Sequence, residues 1–63
     1  MIELIYKSIY MWFDSDHFDY RVDGSKLFVY YYDSLISILS EEFVFLRYLG
    51  DNEIIYKGVN ANE

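Results

Sequence analysis

The chain predicts an α+β fold: a small antiparallel β-sheet, in the order β-β-β-α-β, with one amphipathic helix packed on a face. Three observations predict it. Residues 33–50, DSLISILSEEFVFLRYLG, carry the only long helical hydrophobic pattern. Asp23-Gly24 lies between two apolar runs and is the strongest short hairpin signal in the sequence. The segments before and after these read as strands, and proline is absent throughout.

Residues 2–13 predict the first strand. One parity carries Ile2, Leu4, Tyr6, Ser8, Tyr10 and Trp12, and the other Glu3, Ile5, Lys7, Ile9, Met11 and Phe13. Both faces are largely apolar, which places this strand centrally or covers its second face with a partner. Asp14-Ser15-Asp16 then breaks the pattern as a turn.

Phe18 to Tyr32 reads as a β-hairpin with the apolar face Phe18, Tyr20, Val22, Leu27, Val29 and Tyr31. Two-residue and four-residue loops preserve the same face. The two-residue register about Asp23-Gly24 would set Arg21 against Lys26, so the longer loop is favoured. Phe28, Tyr30 and Tyr32 fall on the opposite, nominally solvent face.

In the helical segment, a step of about 100° per residue gathers Leu35, Ile36, Ile38, Leu39, Phe43, Phe45, Leu46 and Leu49 into one half of the wheel. Ser37, Ser40, Glu41, Arg47 and Tyr48 occupy the other half, with Val44. Glu42 is a misfit on the apolar arc. Two starts are open. Asp33 or Ser34 caps a helix of about four turns, or Ser40 caps a shorter one with Glu41 and Glu42 in its first turn. Both end at Gly50, taken as a left-handed C-cap. Asp51-Asn52 turns the chain into a last strand over 53–59, weakened at Gly58, and Asn60 to Glu63 are expected to fray.

Sixty-three residues make a single domain, 1–63. A chain this short buries only about 60% of its unfolded surface and usually needs a staple. Without cysteine, and with one histidine, disulfides and histidine-rich metal sites are excluded. Association remains. Hydrophobic residues are 54% and aromatics 22% of the chain, more rings than so small a core can enclose, which predicts a homodimer.

Eleven acids against five bases give a formal net charge of −6. The bases Lys7, Arg21, Lys26, Arg47 and Lys57 are scattered, which argues against direct nucleic-acid binding. The acidity suits a basic partner, including a protein that itself binds DNA, or simply keeps an aromatic-rich chain soluble. No targeting signal is visible, and the apolar start, MIELIYKSIYMWF, is too short to span a bilayer. A cytoplasmic location and no membrane association are expected.

Asp14, Asp16 and Asp19 surround His17, but D-x-D-H-x-x-D lacks the glycine and terminal glutamate of a calcium loop and reads as a turn. With no nucleophile motif, phosphate loop or cofactor fingerprint, no enzymatic activity, cofactor or metal is expected. The aromatic surplus carries more information. Phe28, Tyr30 and Tyr32 on the hairpin, with Phe43, Phe45 and Tyr48 on the helix, line a protein interface or are ordinary core and sheet surface.

The pieces DGSK (23–26), FVYYY (28–32), LSEEFVFLRYLG (39–50) and DNEIIYKG (51–58) resemble the small acidic uracil-DNA glycosylase inhibitors of phi29-like phages. In that family a strand, an Asp-Gly turn, a tyrosine-rich strand and a short helix opening with Ser and an acid precede Gly and a last strand. The resemblance implies an acidic homodimer that occupies the glycosylase's DNA-binding cleft as a DNA mimic. It implies that Phe43 or Phe45 and Tyr48 line an apolar pocket at the dimer seam, and that Glu41 and Glu42 add negative potential. The family's important acid on the second hairpin strand has no counterpart here: the alignable position is near Tyr30, with Asp33 the nearest carboxylate. The helix segment also holds one extra residue between Ser40 and Gly50. A CRISPR effector or restriction complex is an alternative target, and a structural or assembly subunit is an alternative role.

Overall fold

The computed structural model describes residues 1–61. Its elements are β1 (Ile2–Tyr6), β2 (Ile9–Phe13), β3 (Phe18–Asp23), β4 (Lys26–Tyr31), β5 (Ser34–Ser40), a single 3₁₀ turn (Glu41–Phe43), β6 (Val44–Tyr48) and β7 (Ile54–Lys57). They form a four-stranded antiparallel sheet in the order β2-β1-β6-β7 and a three-stranded one in the order β3-β4-β5. The expected α+β architecture is therefore corrected: the described chain is nearly all β, and no amphipathic helix lies on a face.

The segment expected to be helical is two strands joined by the 3₁₀ turn. Leu39 faces Leu27 across β4–β5, and Leu46 faces Leu4 across β1–β6. Both pairs fill the space between the sheets, where Leu4, Leu27 and Leu46 are fully enclosed. Short apolar runs such as LISIL and FVFL fit either period, and the partners decide. The turn does lie where the shorter helix was expected to start, with Glu41 and Glu42 in it after Ser40, but Ser40 makes no side-chain cap bond. The left-handed residue after β6 is Asn52 (φ 59°) rather than Gly50. The helix of the glycosylase inhibitors thus has no counterpart over 39–50.

Residues 2–13 form two strands. Tyr6 pairs with Ile9, and Lys7 makes the reversal at φ 58°. β1, between β2 and β6, takes the central place expected of one strand over 2–13, whereas β2 is an edge. In the β3–β4 hairpin Val22 faces Leu27, the register expected with the longer loop, but Asp23 also pairs with Lys26, so the loop itself is the two residues Gly24 and Ser25 and not four. Gly24, at φ 63°, supplies the left-handed turn residue.

Ile2, Leu4, Phe13, Val44 and Leu46 of one sheet pack with Leu27 and Val29 of the other. Rings join the layers: Phe13 meets Tyr31 at 5.1 Å, and Tyr20 meets Tyr56 at 6.1 Å. Long side chains cover the outer face of the four-stranded sheet. There Glu3, only 5% exposed, accepts from Trp12 Nε1 (2.9 Å) and from Arg47 Nε (2.9 Å), and Arg47 Nη2 lies 2.8 Å away. Trp12 and Arg47 stand opposite Glu3 on β2 and β6, so pairing alone assembles this trio. The neighbouring pair, Ile5 and Phe45, is buried beside it.

β7 closes the four-stranded sheet. Gly58 N–H donates to the Val44 carbonyl at 2.8 Å, and Asn60 N–H to the Glu42 carbonyl at 2.8 Å. Asn60 and Ala61, expected to fray, are bonded in this way and through Ala61 N–H to the Gly58 carbonyl (3.1 Å); residues 62 and 63 lie outside the described chain.

Candidate functional site

Two turns meet at one end of the three-stranded sheet. The β2–β3 turn is built on Asp14, whose carbonyl accepts from His17 N–H (3.1 Å) and whose Oδ1 accepts from Asp16 N–H (3.0 Å). A short aspartate side chain that bonds its own backbone two residues on is a good turn former. The Tyr31 hydroxyl, from β4, accepts from Asp14 N–H at 3.0 Å.

The β4–β5 turn consists of Tyr32 and Asp33, since Tyr31 pairs with Ser34. Both turn residues are left-handed, at φ 53° and 63°. Such a two-residue loop favours Asn-Gly, and each non-glycine residue held there costs on the order of 1 kcal/mol. Neighbouring contacts fix it. Tyr32 N–H donates to the His17 carbonyl at 3.0 Å, and the Tyr32 ring stacks on His17 at 4.0 Å and 15°.

Around these turns lies a shallow, open hollow of about 350 Å³, lined by His17, Asp19, Tyr20, Arg21, Tyr30 and Asp33. A second hollow shares His17, Asp19 and Asp33 with it and adds Asp16, Phe18 and Tyr32. Asp16, Asp19 and Asp33 thus converge with Tyr30 and Tyr32 on one surface. The one cation on its border, Arg21, is drawn to Asp23 at 3.2 Å and lies over Phe28 at 4.4 Å. Lys26 is at the other end of β4. Among the described residues, no group of three His, Cys, Asp or Glu side chains could hold a metal ion.

The residues expected to act together divide into separate places. Tyr30, Tyr32 and Asp33 belong to this acidic end. Glu41 and Glu42 lie in the 3₁₀ turn. The Glu41 carboxylate accepts from the Tyr56 hydroxyl, and that bond, with some burial, pushes Tyr56 up to about 12. Glu42 Oε2 accepts from Asn60 Nδ2 at 2.9 Å. Phe43 meets the edge of Tyr6 at 6.5 Å, with Lys7 Nζ 5.0 Å from its ring. Phe45 is buried on the outer face of its sheet, under Lys57 Nζ at 5.9 Å. Tyr48 faces Ile2 and borders a small hollow with Phe18, Tyr20 and Ile55. Phe45 and Tyr48 are three apart on a strand and point to opposite faces, so the aromatic pocket implied by a helix is not assembled within the chain.

Sequence reasoning named Asp16, Asp19 and His17 only as turn residues. The signal that could have joined them to Tyr32 and Asp33 is a second short turn directly after the tyrosine-rich strand. No family model, curated protein or solved structure matches the chain. Among the described residues no helix is long and apolar enough to cross a membrane.

Proposed function

We propose that this protein is a non-enzymatic, cytoplasmic binding module that docks its acidic, tyrosine-lined end on the basic DNA-binding surface of another protein and so excludes DNA. The observation that carries the reading is the convergence of Asp16, Asp19 and Asp33 with Tyr30 and Tyr32 on one strained, solvent-facing surface. Carboxylates set apart on a rigid sheet end can stand in for phosphates and are met by Lys and Arg. Tyrosines beside them offer broad, stiff contact area with little entropy to lose. The net charge of −6 steers such a module toward a basic cleft and away from nucleic acid.

The resemblance over residues 23–58 names the first target, a bacterial uracil-DNA glycosylase of the host. The contact surface differs from the one the resemblance implies, because the acidic end replaces a helix pocket. Uracil excision from an oligonucleotide, with the protein titrated in, tests this reading. Inhibition that completes near one protein per enzyme, and that the triple variant Asp16→Asn, Asp19→Asn, Asp33→Asn weakens at least tenfold while remaining folded, supports it. Excision untouched by excess folded protein removes this target. A CRISPR effector or restriction complex is then assayed in the same way.

A further inference from the structure

β5 is an edge of the three-stranded sheet, and its sequence, SLISILS from Ser34 to Ser40, reads identically in both directions about Ser37. It carries no charge and no proline, the usual means by which edge strands are kept from pairing. Its exposed side chains are large and apolar: Leu35 is 48%, Ile36 46% and Ile38 54% exposed. No strand pairs with its outer side. Glu41 N–H turns toward the β3–β4 hairpin, to the Ser25 carbonyl, while Ser40 N–H turns the other way, to the Tyr6 hydroxyl. Strand alternation then aims Ile38 N–H, two residues back from Ser40, at the open edge.

We propose that β5 pairs antiparallel with β5 of a second copy across a two-fold axis at Ser37, joining the two three-stranded sheets into one of six strands. A two-fold seam needs a self-complementary surface, and the centre of this palindrome, Ile36-Ser37-Ile38, is self-complementary residue by residue. Ser37 faces Ser37 of the second copy, and Ile36 faces Ile38 of the second copy. The shift in the β4–β5 register, where Val29 meets Ser37 but Tyr30 meets Leu35, puts Leu35 on the face that Ile38 shares with Phe28 and Tyr30. The apolar row therefore runs unbroken across the seam. The other uncharged edge, β2 (IYMWF), lacks this symmetry.

Asp33 and Glu41 flank the palindrome at the two ends of the seam, which penalises a slip that would carry either acid onto the apolar row. Tyr32 and Asp33 directly precede β5, so pairing sets one acidic surface at each end of the seam, about 20 Å apart for a strand of this length. That consequence rests on the proposed function. The pairing does not, and its test uses no partner.

Sedimentation equilibrium of the whole chain is expected to give twice the 7.7 kDa monomer mass. Raising salt from about 0.05 to 0.5 M is expected to tighten the dimer several-fold, because it screens the end acids. Ile38→Lys is expected to weaken it at least about 100-fold. The double variant Ile36→Glu, Ile38→Lys is expected to restore it by setting the introduced acid of one copy against the introduced base of the other. Where Ile38→Lys fails to fold, mixed isotope labelling of the unaltered protein decides, since the pairing brings the two Ser37 Hα protons into direct contact. A monomer at millimolar concentration, a dimer indifferent to Ile38→Lys in folded protein, or no intermolecular Ser37 contact overturns the proposal.

Discussion

Gly58→Ala is the substitution that most sharply separates the observed fold from a helix lying on a sheet. A β-carbon at Gly58 would lie 2.2 Å from the Glu41 carbonyl oxygen and 2.5 Å from the Glu42 carbonyl carbon and oxygen. All are backbone atoms of the 3₁₀ turn, so no side chain can swing aside. Relief requires β7 to withdraw from the turn. That movement strains or breaks the bonds from Gly58 N–H to Val44 and from Asn60 N–H to Glu42, both 2.8 Å. Overpacking costs about 1–3 kcal/mol, and each lost hydrogen bond about 1 kcal/mol, for a total of about 3–5 kcal/mol. A domain of this length holds only about 3–9 kcal/mol altogether.

At a urea slope of about 1 kcal/mol per molar, the midpoint falls by about 3 M, or the variant does not fold. The control is Gly50→Ala. Nothing lies within 4 Å of a β-carbon there, and Gly50 is not left-handed. Alanine is expected to be neutral, or stabilising by about 0.5 kcal/mol through the unfolded chain, whereas a helix C-cap at Gly50 would lose about 1 kcal/mol. A Gly58→Ala midpoint within 0.3 M of the parent, or a Gly50→Ala loss larger than that of Gly58→Ala, would refute this packing of β7 on the turn.

Three further outcomes are expected. Tyr56, raised to about 12 by its bond to Glu41, should appear in an ultraviolet titration as a late-ionising phenol, and Glu41→Gln should return it toward 10. Because its folded pKa lies above the unfolded one, the stability it contributes is complete below pH 10 and is lost as pH rises through about 12. Arg47→Met leaves Glu3, whose side chain is buried, with Trp12 as its remaining partner, and should cost about 2–3 kcal/mol by denaturant melt, with part recovered in the double variant Glu3→Gln, Arg47→Met. Asp33→Gly should raise the thermal midpoint by about 4 °C by relieving the left-handed turn. The same change should weaken partner binding by deleting a carboxylate from the acidic end.

Much of the strand content was legible because it depends on local alternation. Phe18, Tyr20, Leu27, Val29 and Tyr31 lie on the inner side of their hairpin as their parity requires. Residues 34–48 were not legible, because pairing with β4 and β1 overrides a pattern that fits both periods. The palindrome about Ser37 is satisfied as a helix stripe in isolation and as an edge strand in context. The Tyr6–Ile9 reversal was hidden because Lys7-Ser8 lacks the Gly, Asn or Asp that marks a two-residue hairpin loop, and only the register shows that the chain folds back there. At the site, Tyr30, Tyr32 and Asp33 were visible as an aromatic and acidic surplus. Their union with Asp16, Asp19 and His17 depends on a backbone bond between two turns, from Tyr32 N–H to the His17 carbonyl, and composition carries no trace of it.

Displacement of a fluorescent DNA duplex from a bacterial uracil-DNA glycosylase tests the DNA-excluding role most directly. The account predicts that this protein and the duplex bind the enzyme in mutually exclusive fashion. It predicts that added salt weakens displacement, and that Asp16→Asn, Asp19→Asn and Asp33→Asn together abolish it in folded protein. A ternary complex of enzyme, duplex and this protein, or displacement that survives loss of the three carboxylates, would contradict it.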